Sequence, residues 1–212
     1  MSGGSGFGVS LVAGLVDIRL QAEVCQRCPL AHTRNKVVFG GTSGYRDIRA
    51  DLMIVGEAPG EEEDATGLPF AGGAGGQLRK LLDQAGLDRT RAYMTNVVKC
   101  RPMSVTPDGS IVSRRPHPSE IASCWDYLEA QIRMVRSKVI LALGATSTAR
   151  LLGHGARIGA SRGTGRTHED CAVVVTYHPS PVSLNRQRGR RAMVLEDLAL
   201  AKRLLERPDE TG

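Results

Sequence analysis

The chain has 212 residues, 41% of them hydrophobic and 24% charged, a composition suited to a single domain over 1–212 with its own core. No stretch approaches the eighteen apolar residues of a membrane span, and Met1 to Val16 lacks the basic start of a secretory signal, so a cytoplasmic protein with no membrane partner is expected. Lys and Arg exceed Asp and Glu by 28 to 22, a net charge of +6 that suits a polyanionic partner, while 4% aromatic residues argue against a surface that coats long single strands by base stacking.

The periodicity of residues 10–24, with Leu11, Val12, Leu15, Ile18 and Val24 on one side, predicts an opening helix. It runs into Cys25-Gln26-Arg27-Cys28-Pro29. An odd count of five cysteines without a secretory signal argues against a disulfide framework, and this CxxC lacks the strand and helix of a thioredoxin-like redox pair. Metal ligation is the better reading. A close pair followed by single cysteines at Cys100 and Cys124 departs from the two compact pairs of structural zinc and leans to an iron–sulfur cluster. Buried, unliganded thiols are the alternative.

Asp51 to Gly56 is a short apolar run ending in glycine, followed by an acidic loop rich in Gly and Pro and by a helix over Gln77 to Ala85. Tyr93 to Val98 forms a second strand. A polar loop then leads to Ser119, read as a helix N-cap with Glu120 in the first turn, and that helix continues to about Met134. Lys138 to Leu143 is a strand, Ala145 to Leu152 a helix, Ala172 to Thr176 a strand and Ala192 to Leu205 a closing helix. This alternation predicts a three-layer α/β/α sandwich around a central, largely parallel four-stranded sheet, with loops at 40–47, 103–118 and 154–170. Ligands of such sheets bind beyond the carboxyl ends of the strands, so the residues that matter should follow Val55, Val98, Leu143 and Thr176.

Glu57 and Glu61 to Asp64 follow Val55. The stretch has no GxxxxGK[ST], which excludes a P-loop, and a carboxylate cluster in a basic chain can hold a water or stabilise a developing cation. A solvated acidic turn is the plainer alternative. Asn96 lies just inside the second strand, ahead of Lys99-Cys100-Arg101-Pro102, and Thr176 leads into Tyr177-His178-Pro179-Ser180, which holds an imidazole at the sheet edge. A carboxylate, an amide and an imidazole at neighbouring strand ends leave three classes open: a hydrolase, a ligand-binding module, or a metal-cluster protein without catalysis.

Four stretches in this order, Gly56-Glu-Ala-Pro-Gly-Glu-Glu-Glu-Asp64, Gly67-Leu-Pro-Phe70, Thr95-Asn-Val-Val-Lys-Cys-Arg-Pro102 and His178-Pro-Ser180, resemble the uracil-DNA glycosylase superfamily. With Cys25, Cys28, Cys100 and Cys124 the chain resembles the family 4 branch, and the likeness runs from about Val24 to Leu205. The resemblance implies a monomeric DNA-repair enzyme with a [4Fe–4S] cluster on those four cysteines. It would extrude a uracil nucleotide from single- or double-stranded DNA, hydrolyse the N-glycosidic bond and leave an abasic site. Asn96 would read the edge of uracil, Phe70 would stack on it, and Ala58 and Ser180 would lie beside it. His178 would donate to uracil O2, Glu57 would face the sugar, and Glu57 or Glu63 would position water. Arg101, Arg162 and the stretch from Arg186 to Arg191 would meet phosphates, and Val182 or Leu184 would fill the gap left by the base. Cys171 matches no ligand position.

Two features depart from family 4: Ala58, directly after Glu57, and a long stretch between Cys100 and Cys124. Arg114-Arg115-Pro116-His117 in that stretch resembles the arginine-rich loop of the UdgX branch, whose histidine captures the sugar. Covalent cross-linking through His117 is therefore one alternative, excision of another altered base a second, and a cluster-bearing DNA-damage-binding protein without catalysis a third.

Overall fold

Short runs of Val, Ile, Leu and Ala, buried on both faces, make a sheet that only helices on either side can cover. The structure, a computed structural model, describes residues 6–42 and 49–207, with side chains from Gly14 onward. The side chains of Leu11 and Val12 and most of the expected 40–47 loop lie outside the described residues. In chain order the elements are α1 (Gly6–Glu23), β1 (Leu52–Gly56), α2 (Glu61–Thr66), α3 (Gly73–Ala85), β2 (Ala92–Asn96), β3 (Met103–Val105), β4 (Ile111–Ser113) and α4 (Pro118–Val135). They continue through β5 (Val139–Leu143), α5 (Ala145–Leu152), α6 (Ile158–Ser161), β6 (Arg166–His168), β7 (Cys171–Thr176), α7 (Pro181–Asn185) and α8 (Arg190–Leu205).

The main sheet has the order β2-β1-β5-β7-β6. Its first four strands are parallel, and β6 pairs antiparallel with β7. The three-layer sandwich is as expected, but the sheet has five strands rather than four. The fifth is hidden in the expected 154–170 loop, because a three-residue polar strand on an edge carries no apolar run. The expected 103–118 loop likewise contains the β3–β4 hairpin.

Alternation along the strands assigns the two cores. Met53, Val55, Tyr93, Ile140 and Val173 pack with Leu15 of α1 and Leu128 and Ile132 of α4. Leu52, Ile54, Met94, Leu141 and Val174 pack with Leu78 and Leu81 of α3 and Val194 and Leu198 of α8. Val24, expected on the packed side of the first helix, is instead 74% exposed just past its end. Helix α4 starts before Ser119. Its N-cap is His117, with Pro118 in the first turn where a missing N–H costs nothing, and Glu120 Oε2 accepts from the His117 N–H at 2.7 Å.

From β1 the chain passes to β2 on one side and later returns to place β5 on the other. The loops leaving β1 and β5 therefore diverge to opposite faces, which opens a crevice at their carboxyl ends.

Candidate active site

A cleft of about 350 Å³ occupies that crevice, and its lining includes Glu57, Phe70, Asn96 and His178, with Ser113 and Arg114 at the rim. Each of the four comes from a different connection. Glu57 follows β1, Phe70 lies in the turn between α2 and α3, Asn96 ends β2 and His178 follows β7. Glycine at position 56 lets two of them close together: a side-chain carbon there would stand 2.9 Å from the Phe70 ring and collide with Asn96 Oδ1. Phe70 itself has a φ of 53°, a left-handed conformation rare for an aromatic residue. Its carbonyl accepts from Arg89 Nη2 at 2.9 Å, which helps to hold the turn.

His178 is half-buried. Its Nδ1 accepts from the Ser180 N–H at 3.3 Å, so the neutral ring carries its hydrogen on Nε2. Burial lowers its pKa below the ordinary 6.5, against the opposing pull of Glu57 and Glu63, and favours this neutral form. Ser180 serves as N-cap of α7, its Oγ accepting from the Ser183 N–H at 3.3 Å. Across the crevice, Thr146 in the first turn of α5 donates its hydroxyl to Glu57 Oε2. Thr146 is the residue after Leu143 that reaches Glu57, and sequence alone does not single it out, since a threonine in a helix start reads as ordinary.

Glu63 also reaches the cleft, but both of its oxygens are engaged: Oε2 accepts from the Gly60 N–H at 3.0 Å and Oε1 from the Gly72 N–H at 2.9 Å. It clasps the acidic loop, whereas the Glu57 carboxylate accepts from the Thr146 hydroxyl. Asp64, fully buried, fastens the same loop to Asn35, whose N–H and amide donate at 3.0 and 2.6 Å. Ala58 lies in the lining beside Glu57.

The expected phosphate-binding arginines divide. Arg101 is buried, donating to Ser113 Oγ at 3.1 Å and Glu61 Oε2 at 3.2 Å, and Arg162 is paired with Asp197 and Glu196 at 3.1 Å each. Both are tied into the fold instead of standing free, because each lies beside carboxylates from elements distant in sequence. Arg190 stacks on Tyr177 at 4.3 Å and Arg191 donates to Gln84, whereas Arg186 and Arg188 are exposed. Leu184 is buried in the core and Val182 is 82% exposed. His117 is exposed and absent from the cleft lining, although Arg114 three residues before it is present.

Cys25, Cys28, Cys100 and Cys124 converge on one side of the first core. Their thiols act on one another electrostatically: Cys100 feels Cys124 and Cys28, and Cys124 feels Cys25 and Cys28. Cys171 feels only Glu169 and Asp170. Among the described residues no three His, Cys, Asp or Glu gather tightly enough for a single metal ion. Of the four converging cysteines, Cys100 and Cys124 are buried and the other two are partly buried against the same core. Lys99 joins this region to the cleft. Its N–H donates to Cys124 Sγ at 3.3 Å, and its buried Nζ donates to the Asn96 carbonyl at 2.6 Å and to Gln131 Oε1 at 2.6 Å.

A larger cavity of about 610 Å³ opens at the opposite, amino end of the strands. Arg49, Arg91 and Lys202 alternate there with Asp51, Asp88 and Glu206, so it offers no net field to a charged ligand.

The family model of the uracil DNA glycosylase superfamily matches residues 43–201. The chain belongs to that superfamily. Among its relatives, a type-4 uracil-DNA glycosylase of Thermotoga maritima is 39% identical over 190 residues, covering 88% of this chain and 92% of that protein. Another type-4 uracil-DNA glycosylase, of Pyrobaculum aerophilum, is 35% identical over 184 residues, covering 83% and 87%. The crystal structure of wild-type Pedobacter heparinus SMUG2 superimposes with a TM-score of 0.54 at 12% identity, covering 74% of this chain and 76% of that one, a likeness of fold. The enzyme's four cleft residues thus stand in the framework of a known glycosylase family. Among its described residues, no helix is long and apolar enough to cross a membrane.

Proposed function

We propose that this enzyme removes uracil from DNA by hydrolysis of the N-glycosidic bond after the nucleotide has been extruded into the cleft. The observation that carries this reading is the convergence of Glu57, Phe70, Asn96 and His178, from four separate connections, on one opening at the switch point of the sheet. A base buried in a duplex stack is beyond reach of side chains this deep, so extrusion is needed. Asn96 accepts from uracil N3–H and donates to O4, a pattern that the amino group and bare N3 of cytosine would reverse. Phe70 stacks on the ring. As the bond to the sugar breaks, negative charge gathers on the base and positive charge on the sugar. The neutral His178 donates from Nε2 to uracil O2, as donors do in an oxyanion hole, and the Glu57 carboxylate faces the sugar and orients the attacking water. Glu63 maintains the loop.

Cys25, Cys28, Cys100 and Cys124 are the residues that would hold a [4Fe–4S] cluster. Such a cluster would tie the segment after α1, the stretch before β3 and α4 together, and so would support the strand that ends in Asn96. Hydrolysis is favoured over covalent capture because His117 lies outside the cleft lining. DNA is the substrate on this reading, and Arg186, Arg188 and Val182 are the exposed residues on the His178 side that would meet it.

The test is incubation with an end-labelled oligonucleotide containing one uracil, followed by hot alkali and a denaturing gel. A strand break at uracil that is strongly reduced in Asn96→Asp, with DNA affinity retained, is expected. No uracil-dependent break, or an Asn96→Asp enzyme with unchanged preference for uracil over cytosine, would overturn the assignment. A slow-migrating band before alkali would restore His117 as a nucleophile.

A further inference from the structure

The β3–β4 hairpin carries an apolar face left open to solvent. In its antiparallel register Met103 stands opposite Ser113 and Val105 opposite Ile111, so these four side chains share one face and Ser104 and Val112 the other. Ser113 is part of the cleft lining, which makes the face that bears Val105 and Ile111 continuous with the cleft mouth. Val105 is 72% exposed and Ile111 59%.

The hairpin is held rigidly at both ends. At its root, the buried Arg101 donates to Ser113 Oγ at 3.1 Å and to Glu61 at 3.2 Å. Arg114 donates from Nε to the Met103 carbonyl at 3.2 Å and clamps Glu120 with both terminal nitrogens. At its tip, the Thr106 N–H donates to the Ser110 carbonyl and the Gly109 N–H to the Thr106 carbonyl, both at 2.9 Å, with Gly109 at a φ of +83°. Asp108, the one carboxylate in Met103–Ser113, is taken up by the Thr106 and Ser110 hydroxyls. A prominence whose single carboxylate is held at its tip, flanked by the exposed Arg115 and fixed beside the base cleft, suits a polyanion whose interior surfaces are apolar.

We propose that this face is a second contact with duplex DNA, in which Val105 and Ile111 pack against base edges and sugars next to the extruded nucleotide. The inference rests on the uracil-excision reading above. Extrusion from a duplex opens the stack and leaves a partner base unpaired, whereas a single strand has no such gap to fill. A rigid apolar edge loses little freedom on entering that gap. The hairpin therefore biases the enzyme towards double-stranded substrate.

The experiment compares wild type with the double variant V105S/I111S. Excision is measured on one uracil-containing sequence presented as a single strand and as a duplex, and affinity on the same two forms carrying a tetrahydrofuran abasic site. Both substitutions lie on the surface, and coincident melting curves verify the fold. The expected result is a fall of about tenfold in duplex kcat/KM and in duplex affinity, with single-strand values within about twofold of wild type. An unchanged duplex-to-single-strand ratio overturns the proposal. If all values stay at wild type, the face is left to a protein partner; if single-strand and duplex values fall together, the hairpin only props the cleft wall. Should wild type leave uracil intact in both forms, the excision reading fails, and the ratio of abasic-site affinities still decides the role of the hairpin.

Discussion

Thr146 donates its hydroxyl to the Glu57 carboxylate across the crevice between β1 and β5, linking the two diverging loops at the point where a substrate would enter. One oxygen of Glu57 is thereby oriented by a helix start that contributes nothing else to the cleft.

Thr146→Val removes that donor and keeps the shape. Loss of one hydrogen bond to a charged group corresponds to a decrease of about tenfold in kcat, with the KM for DNA and the melting temperature unchanged. Single-turnover excision by the variant checks this, and a wild-type rate would show that Glu57 is oriented without Thr146.

His178 makes stability depend on pH. Its pKa is lowered by burial, so as pH falls through the ordinary imidazole value the unfolded chain takes up a proton before the folded one does. Stability is fully present above about pH 6.5, declines as pH drops towards the folded pKa, and levels off below it. His178→Gln should flatten this decline. Denaturant unfolding at a series of pH values provides the measurement, and equal slopes for the two proteins would mean that other groups govern acid sensitivity.

Cys124→Ala should lose iron, brown colour and melting temperature together, whereas Cys171→Ala should keep all three. Iron analysis with a thermal melt distinguishes them. Full iron content in Cys124→Ala would remove that residue from the ligand set.

The arginines should separate by salt dependence. Arg186→Ala is expected to reduce the slope of log affinity against log salt by about 0.9, the value for one phosphate contact. Arg162→Ala should leave the slope alone and cost about 3 kcal/mol of stability, because Asp197 stays buried without its cation. A changed slope in Arg162→Ala would mean that the pair opens to DNA.

The parallel core was legible because β1, β5 and β7 are nearly continuous apolar runs, and a strand buried on both faces needs such a run. β6 was not, since Arg166-Thr167-His168 has the composition of a turn and becomes a strand only by pairing with Cys171 to Val173. In the site, Glu57, Asn96 and His178 follow or close recognisable strands, whereas Phe70 was named only through the resemblance of Gly67-Leu-Pro-Phe70. Thr146 and Lys99 act through partners 89 and 32 positions away, Glu57 and Gln131, a separation that no local pattern records. The same distance accounts for Arg101 and Arg162. Their carboxylate partners lie 40 and 35 positions away, and without them an arginine near a strand end reads as a phosphate ligand.

The sheet also ends abruptly on both sides. Beyond β2, the Gly41 backbone forms a single antiparallel bridge to Met94, and beyond β7 the three-residue β6 completes the other margin. A bare, extended edge strand is a template on which further chains add and aggregate. Here, among the described residues, one margin carries the Gly41 bridge and the other a strand of three residues. Both features shorten the backbone a neighbouring molecule could pair with, so the four parallel hydrophobic strands offer little edge for fibrillar association.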